Sequence, residues 1–315
     1  MPPQDPVAVL NALAGARPGR LQHAFMLPGR TGTTVPPPEW IHPLLLASLR
    51  QSGTMGDRVW GHQRTGAELV RAGRDVVVAT GAGSGKSLVY LLPSLTAILE
   101  ARDAGVGGPT LLYLAPTKAL GADQLQKVLA WDLPGIRAAS YDGDTEAEER
   151  RWVRRHANTV FTNPDLLHHG ILPNHPSWES FLRRLRYVVV DECHTYHGVF
   201  GSQVSAVLRR LRRVCRLYHV DPTFVLASAT VAEPGELAGA LTGRPVEVVT
   251  EDGSPHGSLL VGLWDGIEST GPPSVVDAAA GPVAARGSSV LEEATALLLD
   301  LVRAEVQTVV FARSR

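Results

Sequence analysis

The sequence predicts an α/β fold in which a mainly parallel β-sheet is covered by helices on both faces. Short β-branched runs alternate with helical patterns from about residue 56 to residue 250, which is the order that βαβ units produce. Nearly all of these runs are apolar on both sides, as are the central strands of a covered parallel sheet. With 315 residues and a hydrophobic content of 44%, the chain can bury one large core or two smaller ones.

The strands of this sheet are expected at short apolar runs that lie between helical patterns or turn signals. In chain order these runs are Asp75–Ala79, Thr110–Ala115, Thr159–Thr162, Tyr187–Asp191, Thr223–Ser228 and Val246–Val249. The first leads into a glycine-rich turn and the fourth ends in adjacent carboxylates. We expect those two strands to be neighbours in the sheet.

Shifts in composition divide the chain into three segments. Residues 1–50 are rich in proline and irregular, and we interpret them as an N-terminal accessory extension with a short helix around His42–Leu49. Residues 51–250 form the predicted α/β lobe. Residues 251–315 begin with a stretch of Gly, Pro, Ser and Ala that is typical of a linker.

The last segment also contains candidate elements of its own. They are a strand at Ser258–Trp264, an amphipathic helix at Val290–Val306 and a strand at Thr308–Ala312. Because one helix and one strand cannot bury both of their faces, we expect these elements to start a second α/β lobe that is incomplete.

Charge and cysteine content narrow the class of protein. The formal net charge is −1, so any nucleic-acid binding has to come from local patches and backbone dipoles. Cys193 and Cys215 are too few for a disulfide framework or a four-cysteine zinc site, which suits a reducing compartment. No apolar stretch reaches membrane-spanning length and the first residues lack a basic region before their apolar run, so we expect a soluble, cytoplasmic protein without a membrane partner.

The glycine-rich turn that follows the first predicted strand has the composition of a phosphate-binding loop. Small residues let backbone N–H groups converge on an anion, Lys86 adds a cation, and the Ser87 hydroxyl can bind Mg²⁺. The candidate nucleotide contacts are Thr80, Gly81, Ala82, Gly83, Ser84, Gly85, Lys86 and Ser87. Thr80 stands where the general motif has glycine, so an ordinary strand-to-helix turn is the alternative. Against it, only three of the 30 basic residues are lysines, and one of them lies at the phosphate position.

The fourth strand ends in the sequence Asp191-Glu-Cys-His194, which suggests a metal and base site. A carboxylate at the end of a buried strand can hold Mg²⁺, and the next carboxylate can deprotonate an attacking water. We assign Asp191 to the metal and Glu192 to the base. Two solvated acids, or a zinc site with His194 and His197, are the alternatives.

Gln63 precedes the phosphate loop in the sequence Trp60-Gly-His-Gln63. A glutamine amide can both donate to and accept from the Hoogsteen edge of adenine, so Gln63 is a candidate for selecting ATP over GTP. On its own, this glutamine does not indicate nucleotide binding. It becomes informative through its position in the order of the motifs.

The motif order resembles that of superfamily 2 helicases of the DEAD/DEAH type, and the chain resembles the first RecA-like lobe of such an enzyme. The motifs are Gln63, Thr80–Ser87, Ala115–Leu120, Thr162–Asp165, Asp191–His194 and Ser228–Thr230. The spellings of Tyr141–Thr145, Thr162–His168 and His194–Ser202 are similar to a narrower branch, the DNA helicases with a C-terminal zinc-binding domain that include the mitomycin repair group. That branch often has Thr-Ala-Ser-Gly-Lys-Ser, whereas this chain has Gly81-Ala-Gly-Ser-Gly-Lys-Ser87.

The resemblance implies an ATP-dependent DNA helicase or translocase that uses ATP and Mg²⁺ on single-stranded or tailed DNA, in DNA repair. It adds His194 to the catalytic set and makes Ser228 and Thr230 the residues that couple ATP state to lobe closure. The implied nucleic-acid contacts are Pro116, Thr117, Lys118, Thr162, Asn163 and Asp165. A second RecA-like lobe is expected to supply arginines to the ATP site, so the chain alone is expected to bind ATP weakly and to hydrolyse it poorly.

Several alternatives stay open at this point. The loops at Pro116–Lys118 and Thr162–Asp165 could be ordinary helix caps, and Ser228 and Thr230 could belong to an ordinary turn. The arginines of residues 205–218 could form a solvated helix face, and those of residues 150–155 could pair with nearby glutamates. At the level of function, the alternatives are an RNA helicase, a non-catalytic nucleotide or nucleic-acid binding module and, more weakly, a P-loop kinase.

Overall fold

The computed structural model describes residues 5–265 and 290–311. Two compact units are present: Thr31–Pro255 forms one, and residues up to 30 join residues from 256 onward in the other. Most of the predicted linker, residues 266–289, lies outside the described residues, as does Ala312. No strand forms at residues 308–311. Among the helices that are described, none is both long and apolar enough to span a bilayer.

The strands and helices alternate along most of the chain. The strands are β1 (Leu21–Leu27), β2 (Thr34–Val35), β3 (Val59–Trp60), β4 (Val76–Ala79), β5 (Thr110–Leu114), β6 (Ala138–Ser140), β7 (Thr159–Thr162), β8 (Leu185–Val190), β9 (Thr223–Ser228), β10 (Glu247–Val249) and β11 (Leu259–Trp264). The α-helices are α1 (Pro6–Ala16), α2 (Pro43–Gln51), α3 (Gly61–Arg71), α4 (Ser87–Asp103), α5 (Lys118–Ala130), α6 (Ala147–His156), α7 (Pro164–Leu166), α8 (Glu179–Leu182), α9 (Gly198–Leu217), α10 (Pro234–Thr242) and α11 (Val290–Arg303).

Seven strands of the larger unit form one sheet in the order β10-β4-β9-β8-β5-β7-β6, and every neighbouring pair is parallel. The predicted α/β class is confirmed, and each predicted strand is present with ends that shift by at most two residues. The sequence did not reveal β6, a three-residue edge strand of Ala-Ala-Ser without a β-branched residue.

The predicted order of the strands around the phosphate loop is wrong in one respect. We expected the strand that ends at Asp191 to lie beside the strand that enters the loop, but β9 separates β8 from β4. The predictions for β4 and β8 rested on their own residues, whereas strand order depends on where each crossover helix packs.

Alternate residues of the central strands face two apolar layers. On one face, Val76, Val78 and Val189 pack with residues of α2, α3, α4 and α5. On the other face, Val77 and Val188 pack with residues of α6, α9 and α10. The central strands are therefore buried on both sides, which explains their unbroken apolar sequences.

The predicted extension of residues 1–50 does not end at a unit boundary. Residues from Thr31 belong to the larger unit, where β2 pairs with β3 and where Leu45 and Leu49 of α2 are buried in the core. The Ser48 hydroxyl donates to the Trp131 carbonyl at 2.8 Å. Because α2 presents apolar residues on one face, it packs against the lobe rather than standing apart from it.

The smaller unit is built on an antiparallel pair of strands. β1 runs against β11, with Leu27 opposite Leu259. The indole of Trp264 donates to the Glu293 carboxylate at 2.9 Å, and Arg17 makes an ion pair with Asp300 at 2.5 Å. The predicted strand at Ser258–Trp264 is thus observed as β11, and its partner β1 was not predicted.

Candidate active site

The predicted site residues follow the carboxyl ends of neighbouring strands at one edge of the sheet. The phosphate loop follows β4, Ser228 ends β9, and Asp191 follows β8. Ser228 pairs with Ala79 on one side, while Leu226 pairs with Val190 on the other. Adjacent strands lie about 4.8 Å apart, so the loop and Asp191 are about 10 Å apart across β9. That spacing leaves room for a triphosphate between them.

The phosphate loop has a backbone that requires glycine at two positions. Gly83 has φ of 74° and Gly85 has φ of 76°, both in the left-handed region. The Thr80 and Ser84 hydroxyls hydrogen-bond at 2.7 Å across the turn. The loop ends at Ser87, the first residue of the 17-residue helix α4, so the positive end of its dipole faces the loop.

The Lys86 side chain folds back over this loop. Its ammonium group donates to the Thr80 carbonyl at 3.0 Å and to the Gly81 carbonyl at 2.9 Å. An ammonium has three N–H donors, so these two bonds leave the third for a phosphate oxygen. The lysine is thereby fixed at the position that the sequence predicted for it.

Gln63 lies in the first turn of α3 and touches the phosphate loop. Its Oε1 accepts from the Trp60 N–H at 2.9 Å, and its Nε2 donates to the Gly85 carbonyl at 3.1 Å. A Cβ on Gly85 would clash with this amide nitrogen. Gln63 therefore braces the loop. Its Nε2 is also 3.4 Å from the Ser84 carbonyl, so both N–H groups of the amide have partners in the loop and one lone pair of Oε1 is left for a base.

His62 is a neighbour of the loop that the sequence did not identify. Its Nδ1 accepts from the Gly253 N–H at 3.2 Å, which leaves Nε2 to donate to the Ser84 carbonyl at 3.0 Å. Asp252 also reaches the loop, because its Oδ2 accepts from the Gly81 N–H at 3.1 Å. All three contacts join residues more than 20 positions apart, and no local pattern in the sequence predicts them.

Asp191 is buried directly after β8, and both of its carboxylate oxygens have partners. Oδ1 accepts from the Glu192 N–H at 2.9 Å, and Oδ2 accepts from the Tyr113 hydroxyl. Glu192 has φ of 47° and ψ of 44°, a left-handed conformation that is uncommon for a residue with a side chain. Such strain concentrates at functional sites.

His194 lies between Glu192 and the residue that follows Ser228. Its Nδ1 is 3.2 Å from Glu192 Oε2 and 3.3 Å from the Ala229 backbone nitrogen. A protonated Nδ1 can donate to the glutamate, and an unprotonated one can accept from Ala229, but one atom cannot do both. His194 therefore connects the predicted base to the β9 segment. His197, the other half of the zinc alternative, contacts the His194 carbonyl at 3.3 Å.

The two predicted coupling residues have different environments. Ser228 is fully buried, and among the described residues its hydroxyl has only the Cys193 thiol beside it, which is a weak hydrogen-bond partner. A buried hydroxyl with only a weak partner fits a site that is completed by a polar ligand. Thr230 is exposed two residues further on.

The predicted nucleic-acid contacts follow β5 and β7, beside the candidate ATP site. Thr117 caps α5 by accepting from the Leu120 N–H at 3.3 Å, and Asn163 caps α7 by accepting from the Leu166 N–H at 2.9 Å. The helix-cap alternative is therefore observed for both, and it leaves each residue at a helix N-terminus on the same edge of the sheet. Such N-termini are suited to phosphate contacts.

The remaining predicted contacts differ in how accessible they are. Pro116 is half-buried and Asp165 is exposed. The Thr162 hydroxyl is buried and donates to the Tyr141 carbonyl at 2.6 Å, so its hydrogen is engaged within the protein. Lys118 is exposed and pairs with Asp144 at 2.6 Å, and this hydrogen bond raises the pKa of the lysine.

Three arginines of the two clusters have specific partners within the fold, and most of the others are exposed, as expected for a solvated face. Arg150 donates to the Thr145 carbonyl at 2.8 Å and to the Asp142 carbonyl at 2.9 Å, instead of pairing with the glutamates beside it in sequence. On α9, Arg210 donates to the His168 carbonyl at 3.1 Å, and Arg212 donates to the Thr242 carbonyl at 2.9 Å. These arginines hold loops in place.

Known proteins share this arrangement of motifs. A sequence profile of the DEAD/DEAH box helicases matches residues 60–237, which is more than half of the chain. The chain is 39% identical over 289 residues to the uncharacterized ATP-dependent helicase YprA of Bacillus subtilis, covering 91% of this chain and 36% of YprA. It is 36% identical over 254 residues to the ATP-dependent helicase HRQ1 of Saccharomyces cerevisiae, covering 78% of this chain and 23% of HRQ1.

Solved structures agree with the sequence matches. The crystal structure of the DUF1998 helicase MrfA bound to DNA superimposes with a TM-score of 0.85 at 36% identity, covering 99% of this chain and 42% of MrfA. MrfA bound to DNA and AMPPNP gives a TM-score of 0.84. The chain thus spans less than half the length of these relatives. The resemblance predicted from the motifs is confirmed, and the chain belongs to the DEAD/DEAH box helicase family.

Proposed function

We propose that this chain is the ATP-binding lobe of an ATP-dependent DNA helicase or translocase. The observation that carries the proposal is the placement of the Lys86 loop and the Asp191–Glu192 pair at one edge of the sheet, with Ser228 between them. A phosphate-binding loop that faces a metal-binding carboxylate and a base is the arrangement that ATP hydrolysis needs.

Each residue has a distinct role in this proposal. The phosphate loop and Lys86 bind the phosphate oxygens, while Ser87 and Asp191 supply the oxygen ligands that suit Mg²⁺. Bound Mg²⁺ would neutralise charge on the transferred phosphate. Glu192 orients a water molecule and takes its proton. Gln63 is the proposed contact to the adenine base, through the Oε1 lone pair that the loop does not use.

DNA is the proposed polymer. Support comes from MrfA, which was solved bound to DNA and is 36% identical to this chain. The RNA-bound helicase Mss116 is 16% identical and supports the fold alone. We propose that DNA crosses the sheet edge at Pro116–Lys118 and Asn163–Asp165, where backbone contacts would hold one strand without reading its bases. A role in DNA repair follows from the branch that the motifs resemble.

We further propose that residues 51–250 form the body of the first RecA-like lobe, that β2 and α2 of the preceding extension join this lobe, and that residues 251–315 contain the start of a second lobe. The chain order of β11 and α11 supports this division, because a strand followed by a helix is the repeating unit of such a lobe; the partner of β11 in this chain is the antiparallel strand β1. A cytoplasmic location is supported by Cys193 and Cys215, which are both free, buried thiols.

Substitutions at two positions test the chemistry. Lys86→Ala is expected to abolish ATP binding, whereas Glu192→Gln should keep ATP binding and lower turnover by at least about 100-fold, because it removes only the base. Nucleotide titration of the chain and phosphate release by a longer version with the second lobe are the measurements. Lys127→Ala is the control, since Lys127 is exposed on α5 and pairs with Asp123.

The same assay separates the alternatives. Stimulation of phosphate release by single-stranded DNA and not by RNA is the expected result. Stimulation by RNA alone would indicate an RNA helicase. Unchanged turnover in Glu192→Gln would exclude the proposed base, and a failure of the unsubstituted chain to bind nucleotide would exclude the proposed function.

A further inference from the structure

A buried tyrosine on β5 contacts the predicted metal ligand. Tyr113 lies opposite Val189 of β8, two residues before Asp191, so the Tyr113 and Asp191 side chains point to the same face of the sheet. The Tyr113 side chain is fully buried, and its hydroxyl donates to Asp191 Oδ2. This contact joins β5, which leads to Pro116–Lys118, to β8, which leads to Asp191 of the candidate ATP site.

The packing around Tyr113 does not require a hydroxyl. Its ring lies 4.9 Å from the Phe161 ring and 5.8 Å from the Tyr90 ring, measured between centroids. Phenylalanine would fill the same space, and a buried hydroxyl costs free energy unless it is hydrogen-bonded. The hydroxyl therefore has a role beyond packing.

The Tyr113 hydroxyl is the donor in its contact with Asp191, because an ionised carboxylate can only accept. Burial raises its pKa most, and the nearby Tyr90 and Asp191 raise it further. The Tyr90 ring is buried and packs beside the Tyr113 ring, so the two tyrosines shield this hydroxyl from water. With the Glu192 N–H on Oδ1 and Tyr113 on Oδ2, the carboxylate is held in one orientation.

We propose that Tyr113 is a positioning residue that orients the Asp191 carboxylate for the divalent cation that accompanies the nucleotide. The inference rests on the proposed function, because it assumes a metal–nucleotide complex at this site. Groups that hydrogen-bond to metal ligands commonly contribute about 10-fold or more to metal affinity. Tyr113 would act through Asp191 and would not contact the metal itself.

The test compares two conservative substitutions in the same sheet. Tyr113→Phe removes the hydroxyl that contacts Asp191. Tyr187→Phe is the matched control, because Tyr187 is equally buried on β8 and its hydroxyl has no hydrogen-bond partner among the residues described. The affinity of the 315-residue chain for AMPPNP is measured with Mg²⁺ and with EDTA. The ratio of the two affinities gives the contribution of the metal to nucleotide binding.

Tyr113→Phe is expected to reduce this ratio about 10-fold while the affinity in EDTA stays within about two-fold. Tyr187→Phe is expected to leave both affinities unchanged. If Tyr113→Phe keeps the full ratio, or loses affinity equally with and without metal, the proposal is wrong. If Tyr113→Phe fails to fold, Tyr113→Met replaces it, because methionine also removes the hydroxyl and can adapt to the space of the ring. The same reduction of the ratio is expected, and an unchanged ratio there would also overturn the proposal. Absence of AMPPNP binding in the unsubstituted chain is the separate result that would reject the ATP site.

Discussion

Gly85 meets two demands that a larger residue cannot meet together. Its φ of 76° is in the left-handed region, and a Cβ at this position would clash with the Gln63 amide. Gly83 has nearly the same φ of 74°, but a Cβ there would have no heavy atom within 4 Å. Substitutions at both positions would strain the backbone, but only a substitution of Gly85 would also displace Gln63. Comparing the two therefore distinguishes these effects.

We expect Gly85→Ala to lower the free energy of unfolding by about 2–3 kcal/mol, and Gly83→Ala by about 1 kcal/mol, because only the first displaces a buried side chain. Gly85→Ala should also weaken ATP binding more, since it moves Gln63. Urea unfolding and nucleotide titration of the two variants are the measurements. Equal losses in both variants would show that Gln63 does not brace the loop.

At the scale of single residues, the sequence identified the groups whose type is dictated by chemistry. Lys86, Asp191 and Glu192 were predicted because phosphate, Mg²⁺ and a water proton each require a particular side chain at a strand end. The structure places them together at the sheet edge, while their roles in binding and hydrolysis remain predictions. His62, Asp252 and Tyr113 were not predicted, because their partners are distant in sequence and their residue types occur in many other contexts.

At the scale of strands and helices, Asp75 connects the amino-terminal ends of three neighbouring strands. It directly precedes β4, and its Oδ1 accepts from the Phe224 N–H of β9 at 2.8 Å. Its Oδ2 pairs at 2.7 Å with Arg244, which lies just before β10. Burial raises the pKa of Asp75, while the Phe224 N–H and Arg244 partly offset this effect.

Asp75→Ala is expected to lower the free energy of unfolding by about 3 kcal/mol, since it leaves a buried N–H and a partly buried guanidinium without their partner. Asp221→Ala is the control because Asp221 pairs with the same arginine at 2.7 Å but is 62% exposed. Its expected effect is below about 1 kcal/mol. Urea unfolding measures both, and similar losses would contradict the role given to Asp75.

Strands that are covered on both faces could be located from their apolar sequences, and the predicted ends differ from the observed ends by at most two residues. The order of those strands could not be found in the same way. The short edge strand β6 and the insertion of β9 between β4 and β8 depend on packing across the sheet, which local sequence does not encode.

At the scale of the whole molecule, the relatives are much longer than this chain, which covers 36% of YprA and 23% of HRQ1. We expect the 315-residue chain to hydrolyse ATP at least about 1,000-fold more slowly than a longer version with the second lobe, because arginines from a partner lobe contribute that much in related enzymes. Phosphate release by the two proteins tests this. Equal rates would show that the chain already holds every group needed for turnover.

The two hydrogen bonds that tether Lys86 to its own loop affect the thermodynamics of nucleotide binding. A lysine side chain carries roughly 2 kcal/mol of rotamer entropy, and most of it is already lost when the ammonium bonds the Thr80 and Gly81 carbonyls. This loss of entropy is therefore part of the free energy of folding and not of the free energy of nucleotide binding. A phosphate group meets a cation that is already immobilised, so more of the attraction between them is retained as affinity.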